Sequence, residues 1–389
     1  MYSIDESLRA ATDALRSGDP LRARDLFAKS LGAGANQAAA LLGLARACAA
    51  LKDEAGQTAA VDRLLSVDPR NVLGLIMKAD QLAGAGDSRS ATSFYLAALR
   101  NAPAREQLTP EVVTELRRAK QICDGYAAHY QNYVVQQLSD RGFDPATSSQ
   151  RFAQSVDIIL GKRKIFVQEP KYYYFPGLPQ IQFYGREQFP WLSAVEQATA
   201  DIRDELLSVM NEPSAFAPYV QGDANRPRKD QAGMLNNPAW SAFYLWKNGE
   251  AVAENAARCP KTLRALQDVP FSRTPNRSPS ILFSLLKPGA HIPAHHGLVN
   301  TRLICHLPLI VPPNCRFRVG NETRHWEQGK AWLFDDTIEH EAWNDSDQTR
   351  VILLFDVWRP ELTTEERDLV TALFAAIDAH SGQKPEWSI

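Results

Sequence analysis

The chain has 389 residues, 44% of them apolar and 23% charged, a length for two or three domains and a composition that excludes extensive disorder. Forty-three Lys and Arg against 45 Asp and Glu leave a net charge of −2, so no global basic surplus is available for a phosphate backbone, and nucleic acid is not an expected partner. The eight histidines are unevenly placed: His291, His295, His296, His306, His325 and His340 all fall within fifty residues.

The longest apolar runs, at 281–286 and 351–355, are far shorter than the roughly 20 residues a membrane span needs. The chain begins Met1-Tyr2-Ser3-Ile4-Asp5-Glu6, with acids where a signal peptide has a basic region and an apolar run. Both features predict a cytoplasmic protein without a membrane span. Cys48, Cys123, Cys259, Cys305 and Cys315 are odd in number, scattered, and form no C-x-x-C pair, which argues against a disulfide framework or a cysteine-type zinc site.

The first hundred residues repeat at a fixed offset. Asp19, Asp53 and Asp87 are 34 apart, preceded by Gly18, Lys52 and Gly86. Ala11, Ala45 and Ala79 keep the same spacing, as do Leu8, Leu42 and Ile76; Phe27, Val61 and Tyr95; and Leu31, Leu65 and Leu99. Pro69 and Pro103 close the second and third units. Thirty-four residues is the tetratricopeptide period, in which each unit is two helices that bury their apolar stripe only by stacking on neighbours. Thr109–Leu138 is the expected cap, with Thr109 as N-cap and Pro110 at the first helical position. Such an array serves either as a stability or dimerisation element or as a concave surface for a peptide or protein.

A helical segment is expected over Pro145–Leu160, and the chain changes character near residue 165. The organisation read this way is 1–140 helical repeats with a capping helix, 141–165 helical linker, and 166–389 a β-rich domain. Phe189–Met210 has helical spacing. From Ser280 onward, six strands are predicted between turn signals: Ile281–Leu286, Thr301–Ile310, Arg316–Val319, Lys330–Phe334, Glu339–Trp343 and Thr349–Val357. Six short strands without a helical interruption suggest a jelly roll or similar barrel, and the class is α+β.

His295 and His340 are the best metal-ligand candidates, each beside a strand end in polar surroundings. A three-residue turn at Asn344–Ser346 would place Arg350 opposite His340 in a hairpin, able to hold an anion next to a metal; a four-residue turn would shift that register by one. His291 and His325 are expected on exposed turns. At most one of the adjacent His295 and His296 can face a metal. Taken alone, His306 is a core histidine inside a strand. Asp335 and Asp336 are expected to cap a turn, with hydrogen bonding to His340 as the alternative.

Three stretches carry a resemblance: Phe283–Gly289, Ile292–Asn300 with Arg302-Leu303 and His306-Leu307; Asn321–Arg324 and Trp326–Lys330; and Phe334–Asp336, Glu339–Trp343, Arg350 and Asp356–Pro360. Together they resemble the aspartyl/asparaginyl β-hydroxylase family over about 170–362. The resemblance implies a double-stranded β-helix (jelly-roll, cupin-like) oxygenase domain after a tetratricopeptide solenoid. It implies Fe(II), 2-oxoglutarate and O2 as cofactor and cosubstrates, with succinate and CO2 as coproducts. His295 and His340 match the iron ligands. Arg350, with Ser284, matches the grip on the distal carboxylate of 2-oxoglutarate. His306 matches the histidine near the cosubstrate's other end, which reverses its core reading. Gly297 stands where most such oxygenases carry a third, carboxylate ligand. Arg302 is retained as a substrate residue, but Ile304 replaces a second arginine of the eukaryotic enzyme. The implied substrate is an Asp or Asn residue of a peptide or protein recruited by the repeats. The alternatives are a small molecule, carrier-tethered amino acid or lipid acyl chain, or a non-catalytic adaptor with a degenerate domain.

Overall fold

The computed structural model describes residues 4–32, 37–104, 108–222 and 233–381, and the chain divides into two compact units, Met1–Leu160 and Gly161–Ile389. The segment expected to be a linker therefore falls mostly with the first unit.

That first unit is all-helical. Helices α1 (Ile4–Arg16), α2 (Pro20–Gly32), α3 (Gln37–Ala50), α4 (Glu54–Val67), α5 (Val72–Gly84) and α6 (Ser88–Arg100) stack in pairs, followed by α7 (Pro110–Ser139) and α8 (Gln150–Ile159). The 34-residue period has a local cause. Gly18, Lys52 and Gly86 all take positive φ, the backbone turn that ends the first helix of each pair. The next residue then caps the second helix: Asp19 accepts from Arg22 N, Asp53 from Gly56 N and Asp87 from Ser90 N, at 3.1, 2.9 and 3.0 Å. Ala11, Ala45 and Ala79 are fully buried where helices meet, beneath Phe27, Val61 and Tyr95 of the partner helices. Helix α7 follows its N-cap Thr109 as expected and lays Leu116, Ala119 and Cys123 against α5 and α6. The expected helix from Pro145 starts later, at Gln150, behind an N-cap at Ser149.

The second unit is a two-sheet antiparallel sandwich with helices on one face. It contains α9 (Leu192–Gln197), α10 (Thr199–Met210), β1 (Ala217–Pro218), β2 (Trp240–Lys247), β3 (Glu250–Ala251), α11 (Ala253–Arg258) and α12 (Pro260–Ala265). Then come β4 (Ile281–Leu286), β5 (His291–His295), β6 (Arg302–Ile310), β7 (Cys315–Val319), β8 (Glu322–His325), β9 (Trp332–Phe334), β10 (His340–Asn344), β11 (Arg350–Trp358) and α13 (Thr364–Ser381). The larger sheet runs β1-β2-β4-β11-β6-β9, with β3 beside β2, and the smaller runs β5-β10-β7-β8. The helix expected over Phe189–Met210 is broken at Ala198, which closes α9 and opens α10.

Strand periodicity sorts the larger sheet into two chemically distinct faces. Phe283, Leu303, Cys305, Leu307, Leu353 and Phe355 point outward and pack under Leu192, Ile202 and Leu206 of α9 and α10. The alternate residues, including Trp240, Leu286, Ile304 and Phe334, face the smaller sheet and meet Ile292, Phe317 and Ala342. Because both faces are covered, β6 and β11 read as nearly unbroken buried runs. On β4, β6 and β11 the buried polar side chains all belong to the inner set: Ser284, Arg302, His306, Arg350 and Asp356.

The hairpin expected between His340 and Arg350 does not form. Strand β10 pairs with β5 and β7 in the smaller sheet, while β11 pairs with β4 and β6 in the larger one, so Arg350 faces Leu286 rather than His340. Residues 345–349 cross between the sheets instead. Fully buried Asn344 fixes that crossing, its Nδ2 donating to the carbonyls of Leu286, Lys287 and Gln348 at 2.9, 3.0 and 2.8 Å.

Candidate active site

The inner faces of the two sheets enclose a pocket lined by Ser284, His295, Arg302, His306, His340 and Arg350, the residues singled out from the sequence. The antiparallel pairing of β5 and β10 sets His295 directly against His340, ring centroids 4.1 Å apart. Their Nδ1 atoms lie against the carbonyls of Pro293 and Ile338 at 2.8 and 3.0 Å. With Nδ1 carrying the proton toward a carbonyl, each ring keeps its Nε2 lone pair, the state a metal ligand requires. Burial holds both rings neutral: His295 is pushed down to about 4 and His340 well below its ordinary value, each by loss of solvent first. Among the described residues no group of three His, Cys, Asp or Glu side chains is arranged to hold a metal.

Arg350 is the second decisive feature. It is 1% exposed, and among the described residues no carboxylate pairs with it. Its Nη1 donates to Ser284 O at 3.1 Å, its guanidinium lies 4.9 Å from the Trp326 ring, and its Nε has no partner. Burial lowers even its pKa, to about 10. A dry, unpaired cation is costly unless an anion joins it. Ser284 sits beside it on β4, its Oγ accepting from Trp240 Nε1 at 3.2 Å. His306, across the pocket on β6, is neutral because of burial and the Arg350 charge, and its Nδ1 is unpartnered.

Arg302 differs from Arg350 in facing two carboxyl groups through its Nη atoms, while its Nε has no partner. Its Nη1 lies 3.2 Å from Asp356 Oδ2 and its Nη2 3.4 Å from Asp336 Oδ2. Burial raises both carboxyls, Asp336 to about 7, against the pull of Arg302. Asp336 also explains Gly297. A Cβ at Gly297 would lie 2.1 Å from Asp336 Oδ2, so this carboxylate fills the space a side chain there would occupy. Neither expected role of the Asp335-Asp336 pair describes Asp336, which turns into the pocket. Asp335 does cap the turn, accepting from Thr337 N and Oγ1, and it also pairs with buried Arg359 at 2.8 Å.

The remaining histidines stay out of the pocket. His291 lies in β5, not on a turn, and stacks exposed on Trp343. His325 ends β8 exposed, and only His295 of the adjacent pair lines the pocket.

Residues 196–360 match the family model described as aspartyl/asparaginyl beta-hydroxylase. This C-terminal region belongs to that family. The human aspartyl/asparaginyl beta-hydroxylase is 39% identical over 174 residues, covering 44% of this chain and 21% of the human one. An ornithine lipid ester-linked acyl 2-hydroxylase of Rhizobium tropici is 38% identical over 187 residues, covering 47% and 62%. The aspartate beta-hydroxylase domain-containing protein 2 of Xenopus tropicalis is 30% identical over 213 residues, covering 54% and 55%. The chain thus spans from about a fifth to three fifths of the length of these relatives. The family match begins inside α9, and the helical repeats lie outside it.

Two pocket residues of this hydroxylase-family region, Tyr219 and Trp240, escape a reading of the sequence. They stack at 4.2 Å and form one wall; Trp326 and Asp336 complete the lining, and Asp356, paired with Arg302, adds to its charge balance. The one available signal was Asn248-Gly249 after an aromatic run. Both residues take positive φ in the two-residue turn from β2 to β3, which marks 240–247 as a strand.

Proposed function

We propose that this chain is an Fe(II)- and 2-oxoglutarate-dependent hydroxylase whose chemistry is housed between the two sheets of the second unit. The observation that carries this reading is the pairing of two neutral, carbonyl-anchored histidines with a buried arginine that has no acidic partner, in one pocket. His295 and His340 would hold the metal through Nε2. When bound, Fe(II) supplies activation of O2 for hydroxylation of a substrate C–H bond, with 2-oxoglutarate converted to succinate and CO2.

The protein's own part is positioning. Arg350 offers Nε and Nη atoms to the distal carboxylate of 2-oxoglutarate, with the Ser284 hydroxyl beside it. His306, kept neutral, has Nδ1 free to meet the cosubstrate's other end. The carbonyls of Pro293 and Ile338 keep both ligand rings in one tautomer and orientation. Ile304, Phe317, Trp326, Phe334 and Leu354 exclude water from the reacting centre. No proton donor or nucleophile is required of the chain.

The finer fold assignments belong to the same reading: a tetratricopeptide solenoid for the repeats and a double-stranded β-helix for the strands that alternate between sheets. Its substrate classes are an Asp or Asn residue of a protein recruited by the repeats, or the small-molecule and acyl alternatives. No helix among the described residues is long and apolar enough to cross a membrane. The test is Fe(II)-dependent release of succinate from 2-oxoglutarate, together with Mn(II) binding followed by electron paramagnetic resonance. His340→Ala abolishes both, and His291→Ala leaves both intact. Normal turnover in His340→Ala would overturn the iron assignment.

A further inference from the structure

The pocket holds two arginines, and their charges are committed differently. Arg350 is unpaired and, on the reading above, serves the cosubstrate. Arg302 is the remaining guanidinium in the lining, and it already faces two carboxylates, Asp356 at 3.2 Å and Asp336 at 3.4 Å. All three groups are buried, so their interaction is strong and water cannot substitute for a missing partner. Asp356 is fixed independently, its Oδ1 accepting from Ser280 N at 2.6 Å, and cannot swing away without orphaning that amide. A substrate carboxylate entering here would have to compete with two resident carboxyl groups for one cation.

The next residue on the same face of β6 is Ile304, between Arg302 and His306. It presents methyl groups, and no hydrogen-bonding atom of its side chain, to the pocket. Ile292, Phe317, Ile352 and Leu354 continue that surface across both sheets.

We infer that the group this pocket accepts beside the reacting carbon is uncharged and apolar, a hydrocarbon chain joined through a neutral linkage and not an acidic side chain. The inference rests on the proposed oxygenase reading and selects among its substrate classes. Ile304 and the Asp356-tied Arg302 are the specificity-determining residues: one supplies apolar contact, and the other is withheld from binding an acid.

The test uses the full chain with Fe(II) and 2-oxoglutarate in air and two kinds of probe. One is a series of N-acyl glycinamides with lengthening saturated chains; the other is a blocked peptide containing a single Asp. The acyl series is expected to stimulate succinate release and gain one oxygen atom. Its apparent KM is expected to fall about fourfold per added methylene until the pocket is filled. The Asp peptide is expected to do neither. Calorimetry of the same probes on protein carrying Mn(II) and 2-oxoglutarate gives the same order without turnover, with a negative heat-capacity change for the acyl series. Ile304→Arg is expected to weaken the acyl probes and admit the peptide, and the wild-type comparison stands alone if that variant does not fold. Stimulation by the Asp peptide, or basal succinate release that no acyl probe raises, overturns the inference alone. Absence of any 2-oxoglutarate-dependent succinate overturns the proposed function and this inference with it.

Discussion

The carboxylate of Asp336 stands where a side chain at Gly297 would begin. A Cβ on Gly297 would meet Asp336 Oδ2 at 2.1 Å and Cγ at 2.3 Å, while Gly297 N donates to Asp336 O at 2.6 Å. The two segments are therefore fitted to each other, one following His295 and the other preceding His340. Glycine is required here by the close approach of a neighbouring side chain, because the backbone of Gly297 is not in the left-handed region.

Gly297→Ala should then push Asp336 off Arg302 and destabilise the fold by about 1–3 kcal/mol, the usual penalty for overpacking. Asp336→Ala opens the space that the new methyl needs. The double variant should be more stable than the sum of the single effects predicts, by about 1 kcal/mol or more. Chemical denaturation of the four proteins measures the coupling. Strict additivity would show that the two residues do not contend for one space.

Arg350 gives a prediction of opposite sign for stability and for function. Replacing a buried, unpaired cation with a side chain of similar length and no charge removes its desolvation penalty. Arg350→Met should leave the unliganded protein as stable as wild type or about 1–4 kcal/mol more so. Wild type with Mn(II) should gain about 2.7 kcal/mol when 2-oxoglutarate is raised to a hundred times its dissociation constant. Arg350→Met should show no such gain. Thermal unfolding with and without 2-oxoglutarate reads both effects, and a variant that is weakened yet still responds would contradict the assigned role.

The helical repeats carry an internal control for their turn chemistry. Gly18 and Gly86 occupy the positive-φ position of the first and third pairs at no steric cost, but the second pair has Lys52 there, at φ 58°. Lys52→Gly should stabilise the first unit by about 1 kcal/mol. Loss of the adjacent cap in Asp53→Ala should cost about 1 kcal/mol. Denaturation followed by far-ultraviolet circular dichroism measures each, and a destabilising Lys52→Gly would mean that the lysine side chain makes an interaction worth more than the backbone strain.

Where the chain was legible depended on whether the information was local. Strands β4, β6, β7 and β11 lie within a residue of their expected bounds, because alternation and Pro or Gly punctuation are written in the strand itself. Strand β5 was missed because His291-Ile292-Pro293-Ala294-His295 has little β character; it is an edge strand, where Pro293 is tolerated. The hairpin error has a topological cause. A short segment between two strands can turn back or cross to a second sheet, and the choice depends on Asn344 reaching carbonyls of β4 and its following turn, some 58 residues away. The pocket brought His340 and Arg350 together all the same, through facing sheets instead of neighbouring strands. The Asp356–Pro360 motif marked Arg359 as notable, but its partner Asp335 on a distant turn could not be read from spacing.

A buried ion pair anchors the helix that backs the loop after His295. Helix α13 packs Val370 and Phe374 against Leu298 and Val299, and it is tied down by Arg277, which is 1% exposed. The Arg277 guanidinium bonds both oxygens of Asp378 at 2.8 and 2.6 Å, and Asn276 Nδ2 adds a third bond at 3.0 Å. The Arg277 hydrogen bond, supported by Asn276 and the guanidinium charge, holds the Asp378 carboxyl below its ordinary value. A depressed folded value means stability that is fully present above the ordinary carboxylate range and is lost as pH falls through the folded value. Asp378→Asn keeps the shape but removes the charge, and should cost roughly 2 kcal/mol at neutral pH. The gap between wild type and variant should stay constant from neutrality down to about pH 5 and close below about pH 4. Urea titrations across that range measure it. A gap that persists at the acid end would assign the tie to packing of Phe374 under Arg277, at 4.6 Å, and not to the charge on Asp378.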